Sequence, residues 1–445
     1  MSSQNIAAIS TGLVASGVAV IRISGDSPLK IAEQMFKPTG KTAVKDFEHA
    51  KMYTGEILAE NFSDFGMCVY FKAPKSFTGE DTVEFHSHGG IAITRGILAK
   101  ILSLGARLAG NGEFTKRAFM NGKLSLSSAE GLIDMINSES ESGVKAGYYL
   151  YREKLLKKVD EIQDRLTDSL SQIDVDMDFP EEDIQETATP AIKQDLLWSI
   201  AEIEALIKTY RAGRVLKNGV NVGIVGKPNT GKSSTLNALL NYEKAIVSSV
   251  AGTTRDVVEG SIDINGVRFN FSDTAGIRES SDVIEEIGVN LSKKIVEQSD
   301  LIVFIVDASD FNEQDQAIYS QVKDKNLLFV VNKTDKSDYK DDRADLYISA
   351  LNKTNIEELR QKIFNKTALN GLDLNGDFLC EERHFEALSR AQEKLQSALN
   401  NIDGVTLDLL AIDVKDAWDA LGEISGKTAT EEIINNIFSK FCVGK

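Results

Sequence analysis

The spacing of apolar positions changes several times along this chain, and each change marks a different kind of structure. Residues 12–23, GLVASGVAVIRI, and 66–71, GMCVYF, are β-branched and apolar runs bounded by glycine and polar clusters, which predicts strands. With helical stretches such as 91–104, residues 1–120 are expected to form a mixed α/β domain. From Ser127 the period lengthens. Ser127 and Glu130 have capping-box spacing ahead of the apolar stripe Leu132, Ile133, Met135 and Ile136, so a helix is expected to start there. Leu155, Val159, Ile162, Leu166, Leu170 and Ile173 then recur every three or four residues, one face of a long helix. After the acidic break at residues 178–183, Thr189 is expected to cap a further helix, with Pro190 at its first position and Ile192, Leu196, Ile200, Ile203, Ile207 and Tyr210 as its stripe.

Residues 219–370 alternate short apolar runs (VNVGIVG, FNFSD, DLIVFIVDA, LLFVVNK, LYISA) with helical segments, the order of a parallel sheet with crossover helices. Helical periodicity returns at Leu388, Gln392, Leu395 and Leu399, and again at Ile433, Ile437 and Phe441. Helical segments thus flank an α/β unit on both sides. The simplest organisation is a nucleotide-type domain inserted into a helical one, with two unrelated helical domains as the alternative. The expected boundaries are 1–120, 121–215 for the first helical part, 216–372 for the insert and 373–445 for the second helical part.

Composition narrows the class without changing this picture. The 445 residues, 42% apolar and 26% charged, are those of a globular protein with more than one core. A formal charge of −17 disfavours generic attraction to phosphate backbones or anionic membranes, so any nucleic acid must be met through a local patch or a partner. Cys68, Cys380 and Cys442 lie far apart and form no CxxC pair. With no charged start before Arg22 and no run near the ~20 apolar residues of a membrane span, a soluble, cytoplasmic protein is expected.

The chemistry concentrates in the insert. The strand Val220–Val225 runs into Gly226-Lys227-Pro228-Asn229-Thr230-Gly231-Lys232-Ser233, and a helical pattern follows, the context a phosphate loop requires. The glycines permit the turn, backbone N–H groups surround a β-phosphate, Lys232 adds positive charge and Ser233 offers a hydroxyl to Mg2+. Asp273-Thr274-Ala275-Gly276 supplies an acidic residue for water-mediated Mg2+ contact and a glycine N–H for the γ-phosphate, and Thr254 is the candidate for a second hydroxyl ligand. Guanine presents two donors on one edge, which the carboxylate of Asp335 in Asn332-Lys333-Thr334-Asp335 can accept, while Ser349-Ala350 would present a backbone N–H to the guanine oxygen. The nucleotide-contacting set is therefore Asn229, Thr230, Gly231, Lys232, Ser233 and Ser234; Ser248, Ser249, Val250, Ala251, Gly252, Thr253 and Thr254; Asp273, Thr274, Ala275 and Gly276; and Asn332, Lys333, Asp335, Ser349 and Ala350. Ile277 stands where Ras-type GTPases place a water-orienting Gln, so some other group must assist hydrolysis.

The GxPNxGKS loop, the Gly252-Thr253-Thr254-Arg255-Asp256 switch, the DTAGI sequence and the terminal Phe441-Cys442-Val443-Gly444-Lys445 together resemble the bacterial MnmE (TrmE) family of tRNA-modification GTPases, over the whole chain. The resemblance implies a multidomain α/β protein: an N-terminal α+β folate-binding-like and dimerisation domain, an all-α helical domain, and an inserted Ras-like P-loop GTPase domain with a mostly parallel sheet. It implies K+ in place of an arginine finger, held at Asn229, Ser248, Val250 and Thr253, with Mg2+ at Ser233 and Thr254, and Glu285 acting on the attacking water. It implies a tetrahydrofolate derivative, of 5-formyl or 5,10-methylene type, met by Arg22, Glu84, Lys123 and Lys445, with Arg22 and Lys123 expected on folate carboxylates and Glu84 on the pterin edge. Cys442, on an apparently free tail, would act near that site. The family works with the flavoprotein MnmG, which brings FAD and NADH and most of the tRNA contact, and it forms homodimers. A ribosome-assembly or RNA-chaperone switch GTPase is the rival class, though no GxxG loop in a basic helix context supports it. His86 and His88 would share one strand face, read as packing or hydrogen bonding in preference to a metal site, and Trp418 is read as core.

Overall fold

In the computed structural model the described residues are 4–178, 185–240, 260–273, 295–367, 378–402 and 406–444. They divide into two compact units, each assembled from distant stretches of sequence. The first comprises residues 1–133, 150–189 and 401–445, the second residues 134–149 and 190–400.

In the first unit, alternation of side chains builds a seven-stranded sheet. Its strands are β1 (Ile6–Ile9), β2 (Ser16–Gly25), β3 (Phe36–Pro38), β4 (Met52–Leu58), β5 (Ser63–Phe71), β6 (Asp81–Gly89) and β7 (Arg107–Leu108), in the order β3-β4-β5-β6-β2-β1-β7. Ile21 and Ile23 of β2 and Val83 and Phe85 of β6 are fully buried and share a core with Ile31 and Met35 of α1 (Pro28–Met35) and with Ile97 and Ile101 of α2 (Ile91–Ser103). The intervening residues face the other way, and there Ile6 and Ala8 pack with Phe114 of α3 (Glu113–Met120). Arg22 is thereby placed opposite Glu84 on the neighbouring strand.

The helices of this unit follow the 3.6-residue stripe. In α6 (Lys154–Asp178), Leu155, Val159, Ile162, Leu166 and Ile173 are fully buried. This helix packs along α13 (Leu407–Ser425), where Gln163 Nε2 donates to the Trp418 carbonyl at 2.9 Å and Trp418 Nε1 donates to Thr167 Oγ1 at 3.1 Å. Along the chain between α3 and α6 come α4 (Leu126–Asn137), whose last residues fall in the second unit, and α5 (Glu141–Tyr151), which falls almost wholly in it. The α4 cap differs from expectation. Ser125 Oγ, not Ser127, accepts from the Ser128 N–H at 3.1 Å, and Ser127 is buried in the helix. Helix α7 (Gln185–Lys208) likewise starts a turn before Thr189, so Pro190 lies inside it. As the sixth residue of the helix, Pro190 lies past the four terminal N–H groups that have no helical partner, so the helix forgoes one bond there.

The second unit holds a six-stranded sheet, β13-β12-β11-β8-β10-β9, formed by β8 (Val220–Val225), β9 (Gly260–Ile264), β10 (Val267–Asp273), β11 (Leu301–Asp307), β12 (Leu327–Asn332) and β13 (Leu346–Tyr347). All neighbours are parallel except β9 and β10, a hairpin turned by Asn265 and Gly266 at φ 56° and 80°, the pair of left-handed residues a tight hairpin turn requires. Every residue of β11 is buried, which marks the sheet centre. Around the sheet lie α9 (Lys232–Leu240), α10 (Glu313–Val322) and α11 (Ile356–Asn365). The chain arrives through α8 (Tyr210–Asn218) and leaves toward α12 (Glu382–Asn401), and these two passages lie side by side: Tyr210 stacks on Phe385 at 4.4 Å and Leu379 N–H donates to Thr209 Oγ1 at 2.9 Å. Adjacent ends are what an inserted domain needs. A half-buried triad closes the junction, with Lys217 Nζ 2.8 Å from Asp134 Oδ1 and also paired with Glu381.

Candidate guanine-nucleotide site and N-terminal cluster

The candidate nucleotide site is built where β8, β11 and β12 end. Strand β8 delivers the phosphate loop, α9 opens at Lys232, and Gly231 at φ 93° sits so close to the base-reading loop that a Cβ there would lie 2.3 Å from Asn332 Nδ2. Only glycine fits. Lys232 Nζ donates to the carbonyls of Gly226 (2.8 Å) and Lys227 (2.9 Å), and Thr230 Oγ1 donates to the Lys227 carbonyl at 3.0 Å. The end of β10 places Asp273 in parallel register with Ile224, beside the start of the loop.

Two side chains at the end of β12 rivet the candidate base-reading segment to the candidate phosphate loop. Asn332 Nδ2 donates to the Thr230 carbonyl at 2.9 Å while its Oδ1 accepts from Ala350 N–H at 3.0 Å. Lys333, at φ 64°, reaches the Asn229 carbonyl at 2.6 Å and pairs with Asp307 Oδ2 at 2.6 Å. Burial works against the Asp307 charge, but Lys333 and Ser309 outweigh it and hold the carboxyl below its ordinary range. Ser349 Oγ donates to Asp335 Oδ1 at 2.5 Å, fixing the carboxylate that would accept from guanine. Asn229, Thr230, Gly231, Lys232, Ser233, Ser234, Asn332, Lys333, Asp335, Ser349 and Ala350 are thus gathered in this unit. The Asp307 contact was not expected from sequence, although Asp307 lies in the run DLIVFIVDA, read there as a strand. Ser248, Ser249, Val250, Ala251, Gly252, Thr253, Thr254, Thr274, Ala275, Gly276, Ile277, Glu285 and Lys445 lie outside the described residues.

A second cluster forms in the other unit, on the sheet face opposite the α1–α2 core. Arg22 Nε donates to Glu84 Oε1 at 2.7 Å, and His86 Nε2 lies 3.3 Å from Glu84 Oε2. The Arg22 guanidinium is 5.7 Å from the ring centres of both Phe77 and Phe114. Burial raises the Glu84 carboxyl, yet His86 and Arg22 overcome it and hold it below the usual carboxylate range. Lys123 Nζ donates to the Pro74 carbonyl at 3.0 Å, on the loop that carries Phe77. His88 is engaged separately, with Nδ1 2.7 Å from Asp64 Oδ1.

The tail is docked, contrary to the expectation of a free end. Val443 bridges to Asn111, the Gly112 N–H donates to the Cys442 carbonyl at 3.4 Å, and Gly444 at φ 98° approaches β1 so closely that a Cβ would lie 2.3 Å from the Ile9 carbonyl. Cys442 remains exposed. Phe441, buried against α4 and Phe438, holds the tail on its course.

A family model described as the MnmE helical domain matches residues 126–442, and one described as the GTP-binding protein TrmE N-terminus matches residues 5–123. The chain belongs to the MnmE (TrmE) family of tRNA-modification GTPases. Curated members named tRNA modification GTPase MnmE are similar end to end: that of Clostridioides difficile (strain 630) is 38% identical over 99% of both chains, and that of Caldicellulosiruptor saccharolyticus is 39% identical over 100% of both. Among solved structures, Era in complex with MgGDPNP and nucleotides 1506–1542 of 16S ribosomal RNA is 32% identical over 39% of this chain and 66% of its own, at a TM-score of 0.28. Family membership makes the chain a GTP hydrolase of tRNA modification.

Proposed function

We propose that this chain is a potassium-stimulated GTPase that acts with the flavoprotein MnmG to add an aminomethyl or carboxymethylaminomethyl group to C5 of the wobble uridine, position 34, of certain tRNAs, using a tetrahydrofolate one-carbon donor. The observation that carries it is the presence, in one chain, of a guanine-nucleotide site and a separate Arg22–Glu84–His86 cluster with the Cys442 tail docked on the same unit.

At the nucleotide, Lys232 would leave its two loop carbonyls to meet the phosphates, and Asp335, steadied by Ser349, would read guanine. Ser233 at the start of α9 and Thr254 are hard oxygen donors that suit Mg2+, with Asp273 acting through water. Asn229 suits K+: its left-handed backbone (φ 65°) projects an exposed amide with no side-chain hydrogen bond among the described residues, and Ser248, Val250 and Thr253 would complete the set. Such a cation, when bound, supplies the charge compensation that Ile277 cannot. Glu285 would orient the attacking water.

In the N-terminal unit, Arg22 and Glu84 are partners in one ion pair, so they cannot serve opposite ends of a folate as first expected. The pair would meet one end of the ligand, flanked by Phe77 and Phe114, with Lys123 and Lys445 left for the carboxylates. Exposed Leu13, Val14 and Val18 at the β1–β2 turn would serve a homodimer contact. No described helix is long and apolar enough to cross a membrane, and a cytoplasmic location is part of the proposal. The test is the nucleoside profile of tRNA from cells lacking the protein: loss of the C5-substituted wobble uridine is expected, and unchanged nucleosides would overturn the reading.

A further inference from the structure

Lys227 is the second residue of the phosphate loop, yet its side chain goes to the segment after β11. Its ammonium lies 2.9 Å from Asp315 Oδ2 and 3.0 Å from Asp310 Oδ2, and it also donates to the Asp310 carbonyl. Lys227 is 6% exposed and Asp315 is fully buried at the start of α10. Asp315 Oδ2 also accepts from the Asn312 N–H at 3.0 Å as half of a capping box, while its Oδ1 has no hydrogen-bond partner among the described residues. A lysine and an aspartate this deeply buried hold each other firmly, because displacing either strands a charge away from water.

The backbone of the same residue faces the other way in function. The Lys227 carbonyl is the resting acceptor of both Lys232 Nζ and Thr230 Oγ1. One residue therefore joins a buried anchor outside the site to the side chain that must meet the phosphates.

We propose that Asp315, acting through Lys227, is a positioning residue for the nucleotide: it fixes the phosphate loop from the α10 side, so that the loop amides and Lys232 are already placed when the phosphates arrive. The anchor is made by two side chains, the Lys227 ammonium and the Asp315 carboxylate, that pair with each other. The inference rests on the GTPase activity of the family and not on the potassium or folate proposals. Both GDP and GTP present a β-phosphate to this loop, so loss of the anchor weakens both alike.

The test uses the full-length chain and a fluorescent GDP analogue, with steady-state GTP hydrolysis measured in parallel. Lys227→Met keeps the length and removes the charge; Asp315→Asn keeps the cap and removes the ion pair. Each is expected to weaken GDP binding and raise KM for GTP by about 10-fold, within what a misplaced site costs, with kcat changed less than threefold. Lys227→Arg restores binding, and the double variant is no weaker than the worse single, because the two changes break one interaction. A merely structural role would lower the unfolding temperature without moving GDP affinity well below it. GDP affinity within twofold of the native chain in Lys227→Met, or a double variant equal to the product of the singles, would overturn the proposal. Should Asp315→Asn not fold, the comparison of Lys227→Met with Lys227→Arg decides, and equal affinities sink it.

Discussion

Glu113 shows how one side chain stabilises the ground on which the N-terminal cluster stands. It opens α3, accepts from the Gly110 N–H at 2.9 Å, from Arg107 at 3.0 Å and from Arg117 at 3.1 Å, and the next residue is the Phe114 that covers Arg22. Burial works to raise its carboxyl, but Arg107, Gly110 and Arg117 together hold it at about 2. A carboxyl depressed on folding contributes stability that is present above its unfolded range and lost as pH falls toward about 2. Glu113→Gln is thus expected to cost about 1–3 kcal/mol at pH 7 and to flatten the acid limb between roughly pH 4.5 and 2, read by thermal unfolding across pH. At the same scale, Glu285→Ala is expected to leave GTP affinity intact and slow turnover by about 10² to 10⁴-fold. An unchanged kcat would remove Glu285 from the mechanism. Single residues were also where sequence said least: that Arg22 and Glu84, 62 positions apart, pair with each other could not be read, because strand register is not written in local spacing.

Elements were legible wherever the period was long or the motif local. Strand β8 and its phosphate loop declare themselves, whereas β9, five residues of which only Ile262 and Ile264 are buried, offers too short an alternation to find. Caps shifted for a related reason. Ser125 and Ser127 both precede the α4 stripe, and the choice between them fell to packing, which buries Ser127. The junction of α4, α8 and α12 makes its own prediction. Two carboxylates share one ammonium there, so ionising both would leave an excess negative charge; burial first and Glu381 second push Asp134 up, to about 8, against the pull of Lys217, and it stays protonated at neutral pH. A carboxyl raised on folding costs stability as pH climbs through that range. Asp134→Asn should therefore raise the unfolding midpoint more at pH 8 than at pH 5, whereas Lys217→Met, which leaves the Glu381 carboxylate without its cation, should destabilise by about 1–3 kcal/mol at neutral pH. Equal midpoint shifts at both pH values would contradict the raised Asp134 carboxyl.

Across the whole molecule, the interruption of helical sequence by an α/β insert could be read directly, because each half has its own period. What could not be read was the path of the last residues. A terminal Phe-Cys-Val-Gly-Lys looks free in sequence, and its docking depends on Asn111, Gly112 and Ile9, more than 300 positions away. Gly444→Val should dislodge the tail through strained backbone and a clash with the Ile9 carbonyl. The expected result is lost tRNA modification with GTP turnover unchanged, and Cys442→Ser should give the same separation. Native levels of modified wobble uridine in both variants would detach the tail from the chemistry.

The contacts from Asn332 and Lys333 to the phosphate loop bypass Asp335, whose described side-chain partner is Ser349. Base preference and phosphate handling are therefore separable traits. An Asp335→Asn chain offers one donor and one acceptor in place of two acceptors, the complement of a base with a carbonyl where guanine has an amino group. Xanthosine triphosphate should become its fuel, consumed at close to the native GTP rate, which would let this one enzyme be driven in a cell extract while every other GTPase runs untouched.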